Sequence, residues 1–486
     1  MKMNSSHSEL LNQLDHWVRN GQLEEARSAM TEQVLSHIPR PHRLAFAKLC
    51  RRIGLISHGL RILHSVIHRE KQLDEPASSE ELCEYAVLLS RNGSVAEALQ
   101  MLNSLPTGQN PEVHLFRGFC HISSWNYEEA IPELTNYIRL EQDPYRLLIA
   151  GVNMSASLLA VRDLAKAEDY LMECETQARQ QNSKRLLGNI LELRAQHLIL
   201  SGKHQNAKII LDQAEDIFRP SQSYDQLLTM KWRALLAARD RQSSEPLLRF
   251  RQEALKRQHW ESVREADFFA LQIQFEQDRF DHLLIGTPWR NYRKRIQDEL
   301  QHLPSEAYTI GHPFGLVFDL ETGKSNEHSL LAPGKKIHQV LSALLADLYV
   351  PCNVGSLFAR LYPNEHFNIY SSPLRVHQQL KRARHWLRQN KIPARVQQNQ
   401  GHYHLNFVGT FGIRIPRDRS QPNVEEIHLR GLESSLAGEF FTVEEACQRL
   451  SISRSAFHRL ARKGLADGRL IRRGEGRATR YFLKAG

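Results

Sequence analysis

Apolar residues in the first 280 positions recur at helical spacing, and the helices pair up around a repeated signal. A small or turn-forming residue is followed five positions later by a small residue: Gly21 and Ala26, Gly54 and Gly59, Gly93 and Ala98, Trp125 and Ala130, Arg162 and Ala167, Gly202 and Ala207. The second members of these pairs lie 33, 39, 32, 37 and 40 residues apart. Such a period predicts a turn after one helix and a close approach by the next. Asn92–Leu99 and Trp125–Ile131 are the clearest copies, and Asp240 to Glu245 begins a seventh, degraded unit. One helix pair cannot bury its apolar face alone, so the pairs stack and leave a concave surface. Pro288 to Leu303 then predicts a basic amphipathic helix with Trp289, Tyr292, Ile296 and Leu300 along one side.

From Tyr308 the period changes. Phe314 to Leu320 alternates and ends in the turn Glu321-Thr322-Gly323, and Ser329 to Ala332 returns as a strand. Helices are predicted over Lys335 to Leu348 and Val354 to Leu361. A long helix opens at Ser371, Ser372 and Pro373, with Val376, Leu380, Ala383 and Leu387 as its inward stripe and Arg375, Gln378, Lys381, Arg382 and His385 facing out. A hairpin over Ile392 to Val396 and Tyr403 to Phe407 follows, tipped by Gln397 to Gly401. Thr410 to Pro422, with Arg414, Arg417, Arg419 and two prolines, reads as a loose linker, and Glu425 to Leu436 as a short joining helix.

The end of the chain repeats the theme. Thr442 precedes Glu444 and Glu445 and an apolar row of Val443, Ala446 and Leu450, a helix start with acidic residues in its first turn. Ser453 N-caps a second helix through about Leu465, with Phe457, Leu460 and Ala461 inward and Ser455, His458, Arg459 and Arg462 outward. Leu470 and Ile471 lead into the glycine-tipped Arg472, Arg473 and Arg477 segment, and Thr479 to Leu483 returns as a strand.

Three resemblances follow from these residues. Phe441 to Leu483 looks like a winged helix-turn-helix DNA-binding domain. Phe318 to Gly323, Leu357 to Tyr362, Arg375 to Leu387 and Gly401 to Leu405 resemble the winged-helix effector domain of OmpR/PhoB-type response regulators, and the related bacterial activators that join such a domain to tetratricopeptide repeats. Ala383 stands where that family carries a bulky aliphatic, and Asn399 or His402 where its wing commonly has glycine. The helix pairs resemble tetratricopeptide repeats. The resemblances imply a mainly α chain: an α-solenoid of tetratricopeptide-like helix pairs followed by two winged-helix (α+β) domains. The expected organisation is 1–285 repeats, 286–306 linker helix, 307–409 first winged helix, 410–435 linker and 436–486 second winged helix. They imply double-stranded DNA as a partner, met by Arg375, Gln378, Lys381, Arg382 and His385 and by Ser455, His458, Arg459, Arg462, Arg472, Arg473 and Arg477.

Charge sharpens this picture. From residue 335 onward there are 25 Lys/Arg against 11 Asp/Glu, whereas the rest of the chain has 39 against 43, so positive field is confined to the last third. Such a patch steers a domain toward phosphates and makes affinity salt-sensitive. The reading is a cytoplasmic bacterial transcription regulator, not an enzyme, whose repeats sense or recruit a protein, peptide or small effector, with a homodimer possible. The alternative is an interaction scaffold or adaptor whose winged helices bind protein or RNA.

Other chemistry finds little footing. No GxxxxGK[ST], GxSxG or HExxH occurs, and no cofactor or metal is expected. Six cysteines lack CxxC spacing and read as reduced thiols. The 24 histidines, His58, His64, His68, His402 and His404 among them, follow no finger spacing. No stretch is apolar enough for a membrane span; even Val340 to Val350 is cut by Asp347. The first residues lack a signal-peptide apolar region. No α/β receiver precedes the effector-like segment, so control by receiver phosphorylation is not expected.

Overall fold

The computed structural model describes residues 2–19, 22–33, 37–68, 75–108, 110–219, 225–325, 328–329, 331–417, 429, 432, 436, 438–450, 452–474, 476 and 479–483. The chain forms two compact units. One comprises Met1–Pro304, Ala343–Gln378 and Gln397–Leu405; the other comprises Ser305–Ser342, Gln379–Val396 and Asn406–Gly486.

The first unit is mainly α, a stack of antiparallel helix pairs. Its pairs include Arg40–Arg52 with Ile56–Ile67, Ser79–Arg91 with Val95–Asn103, Glu112–Ser123 with Tyr127–Leu140, Pro144–Ala160 with Leu164–Gln180, Lys184–Leu200 with His204–Phe218, and Asp225–Arg241 with Glu245–Lys256. The five described turn residues among the six read from the sequence take left-handed backbone: Gly54 at φ +80°, Gly93 at +98°, Trp125 at +59°, Arg162 at +66° and Gly202 at +74°. In each turn the third residue after the helix donates its N–H back to a carbonyl five residues earlier, as from Leu55 to Cys50 and from Lys203 to Leu198, both at 2.8 Å. That closure satisfies carbonyls the helix end leaves open. Five residues on, Ala98, Ala130, Ala167 and Ala207 are fully buried, which lets the second helix seat closely. Gly21 lies outside the described residues. The degraded seventh unit is a full helix pair, turning at Gln242 with φ +49°.

Helices Trp260–Ile273, Gln277–Ile285 and Arg290–Leu300 close the stack. The last was expected as a linker, but Tyr292, Ile296 and Leu300 are buried in the same core as Phe268 and Leu235. Trp125, read as a turn position, packs on Tyr292 with ring centroids 4.1 Å apart.

The helix expected to reach Leu348 instead spans Lys336–Leu344. Asp347 accepts the N–H groups of Tyr349 and Val350 at 2.9 and 3.0 Å, a side-chain turn that competes with further helix. Helices Val354–Leu361 and Ser372–Gln389 follow as predicted, the first capped by Asn353 accepting from the Ser356 N–H at 2.8 Å.

Ten strands are described: β1 Ala307–Gly311, β2 Leu316–Asp319, β3 Lys324–Ser325, β4 His328–Ser329, β5 Ala394–Asn399, β6 His402–Phe407, β7 Phe411–Pro416, β8 Phe440–Phe441, β9 Leu470–Arg473 and β10 Arg480–Leu483. The β5–β6 hairpin turns at Gln400 and Gly401, both with positive φ, the requirement of a two-residue primed turn.

The expected linker from Thr410 is corrected by β7. In the second unit it lies between β1 and β2 in a five-stranded sheet of order β1-β7-β2-β3-β4, antiparallel to β1 and parallel to β2. Phe411, Ile413 and Ile415 are each 1% exposed, so alternation drives pairing despite Arg414 and Pro416. Arg414 is not a linker charge either, since it pairs with Asp319 at 2.6 Å. Arg417 extends the pairing by donating its N–H to the Glu306 carbonyl at 2.9 Å, residues 418–428 with Arg419 lie outside the described residues, and Leu429, Leu432 and Leu436 are helical.

The last module has its own small core. Val443–Leu450 begins with a reciprocal cap, Thr442 donating its N–H to Glu445 at 2.7 Å and accepting the Glu445 N–H at 3.3 Å. Arg454–Ala466 is capped by Ser453. Phe457, Leu460 and Ala461 pack with Leu429, Leu432, Phe441, Tyr481 and Leu483. Its strands run in the order β8-β10-β9, both contacts antiparallel.

Candidate functional site

Among the described residues, two helix faces and a cleft present chemistry to solvent. On Arg454–Ala466 the residues Ser455, His458, Arg459 and Arg462 are exposed. Their offsets of three, four and seven place them on one stripe. Arg454 is diverted to an ion pair with Glu444. In β9, Arg472 and Arg473 are exposed, and the Arg473 guanidinium sits 5.2 Å above the Phe440 ring. Arg477 lies outside the described residues.

On Ser372–Gln389 the inward stripe is as read, with Val376, Leu380 and Ala383 fully buried. Gln378, Lys381, Arg382 and His385 are exposed along the opposite side. Arg375 differs from this expectation. Its guanidinium pairs with both oxygens of Glu365, 2.9 Å at the longer contact, and lies 4.0 Å from the Tyr362 ring centroid. The Glu365 hydrogen bond holds its pKa above the ordinary arginine value.

The repeats grip the segment that runs from helix Lys336–Leu344 into helix Ser372–Gln389, which no sequence pattern announced. Arg264, fully buried, bonds both oxygens of Asp347 at 2.8 Å. Burial alone would lower the Arg264 pKa, but Asp347 and Glu261 hold it above its ordinary value. Tyr349 donates its hydroxyl to Asp267 at 3.0 Å. At the other end Glu97 accepts the Phe367 N–H, and Asn368 and Tyr370 meet His64. Gly355 abuts the Asn92 carbonyl so closely that a Cβ would lie 2.0 Å from its oxygen. Gly93 abuts Ser356 in the same way, at 2.8 Å from the Ser356 nitrogen.

A cleft of about 490 Å³ opens between neighbouring repeats, lined by Val87, Ser90, Arg91, Phe116, Cys120 and Asn153 among others. Arg91 is exposed at the cleft, and partial desolvation of its guanidinium by the surrounding side chains, with the nearby Arg51 cation, lowers its pKa. An arginine so placed favours an anionic visitor over a neutral one.

Among the described residues no set of three His, Cys, Asp or Glu side chains converges as metal ligands. None of their helices is long and apolar enough to cross a membrane. Burial pushes thiols such as Cys50 and Cys83 up to about 12, which makes them poor nucleophiles.

No protein-family model matches this chain, and no curated protein matches it. Among solved structures it is similar to the apo form of RapI, with 11% identity, 57% of this chain and 85% of that chain covered and a TM-score of 0.38. A tetratricopeptide repeat protein from Parabacteroides merdae matches at 15% identity over 61% of this chain and all of that one, with a TM-score of 0.33. The Rap conjugation gene regulator of plasmid pLS20, in complex with the Phr* peptide, matches at 13% identity over 62% and 99%, with a TM-score of 0.30. Likeness at this level carries no argument, and the repeat architecture rests on the helix pairs themselves.

Proposed function

We propose that this chain is an interaction scaffold: helical repeats that bind a protein or peptide segment, joined to helix-turn-helix modules that engage a second partner. The supporting observation is the grip on segment 343–378, in which the repeats hold extended and helical backbone through Arg264, Asp267, Asn92 and Glu97. The open cleft at Arg91 offers the same kind of surface to a partner. A photo-crosslinker at Phe119, beside that cleft, tests this: a partner captured by the parent and lost on Arg91→Glu supports it, and capture indifferent to Arg91→Glu removes the cleft from the reading.

A second reading has its own observation. The exposed stripe of Ser455, His458, Arg459 and Arg462, with Arg472 and Arg473 nearby, favours a sequence-specific DNA-binding transcription regulator in which both modules are winged helices. Helix faces of this kind fit the major groove, and basic wings reach phosphates. Two modules on one chain make the second DNA contact intramolecular, which raises affinity without new contacts. Salt titration separates the readings. Steep weakening on duplex DNA with retained sequence preference supports the regulator; flat behaviour on duplex favours heads that bind protein.

A further inference from the structure

A single carboxylate of the repeats holds the turn that leads into helix Ser372–Gln389. Glu97 lies in the first turn of helix Val95–Asn103, and its side chain is 15% exposed. Both of its oxygens accept the Phe367 N–H at 3.0 Å, and one stands 3.2 Å from Nδ1 of His366. From the next residue, hydrogen bonds tie the turn into the helix. The Asn368 N–H donates to Ser372 Oγ at 2.9 Å, the N–H groups of Tyr370 and Ser371 donate to Asn368 Oδ1 at 2.9 and 3.0 Å, and the Arg375 N–H donates to the Ser371 carbonyl at 3.2 Å. Asn368 Nδ2 also lies 3.4 Å from His64 Nε2, and the Tyr370 ring meets that imidazole edge-on at 5.1 Å.

A backbone N–H and an imidazole that converge on one anion form a seat for any anionic oxygen, a role that main-chain N–H groups fill at DNA phosphates. Here the occupant comes from the same chain. In a helix-turn-helix the start of the recognition helix is the part that meets the duplex. A carboxylate lodged on that turn fills the donors and repels an incoming phosphate as well.

We infer that Glu97 is an intramolecular latch: its carboxylate occupies, at Phe367 and His366, a seat for a backbone phosphate of duplex DNA. The inference rests on the DNA-binding reading of helix Ser372–Gln389. Occupation by Glu97 keeps the turn on the repeats, and displacement by a phosphate frees it.

The test uses the full chain and its Glu97→Gln and Glu97→Ala variants, with amide exchange over His366–Arg375 and binding to a random-sequence duplex across a salt series. Both variants should exchange faster there while the repeat helices keep their protection. Duplex affinity should rise about tenfold, equivalent to ~1.4 kcal/mol, with the salt slope steeper by about 0.9 for one added phosphate. If the parent binds duplex and the variants bind no more tightly, or if exchange does not change, the latch is wrong. If neither parent nor variants bind duplex at any salt, the DNA reading itself fails and Glu97 is a structural clamp.

Discussion

Arg264 and Asp347 are joined by two hydrogen bonds of 2.8 Å inside the first unit, with side-chain exposures of 0% and 5%. Asp347 also caps the Tyr349 and Val350 N–H groups, so one carboxylate fixes both an ion pair and a turn. Removing one partner strands the other charge in a low-dielectric site. Asp347→Ala should therefore cost about 3–5 kcal/mol. Adding Arg264→Met to it should recover part of the loss, because the unpaired cation is gone. Denaturant unfolding of the three variants checks this, and strictly additive losses would show that the two residues do not act as a pair.

Glu261 gives the same neighbourhood a pH dependence. Burial raises its pKa from 4.5 to about 7, with Asp347 and Glu265 adding to the rise and Arg264 opposing it. A carboxyl raised in the folded state binds a proton the unfolded chain has released, so its contribution is fully present below the ordinary value and declines as pH climbs to about 7. The side chain is still 40% exposed, and solvent screening keeps the slope shallow. Glu261→Gln should flatten the fall in stability over this window, and a slope unaltered by that change would assign it to another group.

Gly355 is predicted to tolerate no side chain. Its Cβ would lie 2.0 Å from the Asn92 carbonyl oxygen and 2.3 Å from the Asn92 amide nitrogen, and backbone cannot swing aside as a side-chain tip can. Gly355→Ala should cost about 1–3 kcal/mol and open residues 353–372 to protease. Cleavage at the parent rate would mean that this contact does not hold the segment.

Arg459→Ala and Arg462→Ala test the exposed stripe. Each should lose roughly 1–3 kcal/mol of base discrimination if it reads a base edge, or reduce the salt slope by about 0.9 if it meets a phosphate. Arg454→Ala is the control, since that guanidinium is already engaged by Glu444. Equal losses at all three positions in a gel-shift titration would deny the stripe any special role.

The repeat turns were legible because left-handed backbone and close helix approach each demand particular residues, and both demands recur at Gly54, Gly93 and Gly202 with their small partners. The Ser453 cap and the helix start after Thr442 were legible for a similar reason: the bonds these residues make are local. Strand β7 was missed because its partners, β1 and β2, lie about a hundred residues upstream, and its arginine and proline outweighed three alternating apolar residues. Helical spacing puts Arg375 on the outward face with the residues expected to meet DNA, and nothing local marks Glu365, ten residues earlier, as its partner. The grip on residues 343–378 had no local trace at all, since Arg264 and Asp347 are 83 positions apart. The outward faces of Ser372–Gln389 and Arg454–Ala466 could be drawn from spacing alone; what they touch could not.

Helix Ser79–Arg91 ends in a residue that borders the cleft, and the next two, Asn92 and Gly93, press against Gly355 and Ser356. A single peptide unit therefore separates the cleft from the backbone that carries helix Val354–Leu361. News of a visitor arriving at Arg91 would have no relay of side chains to cross; the strut it leans on is the one already braced against the far wall.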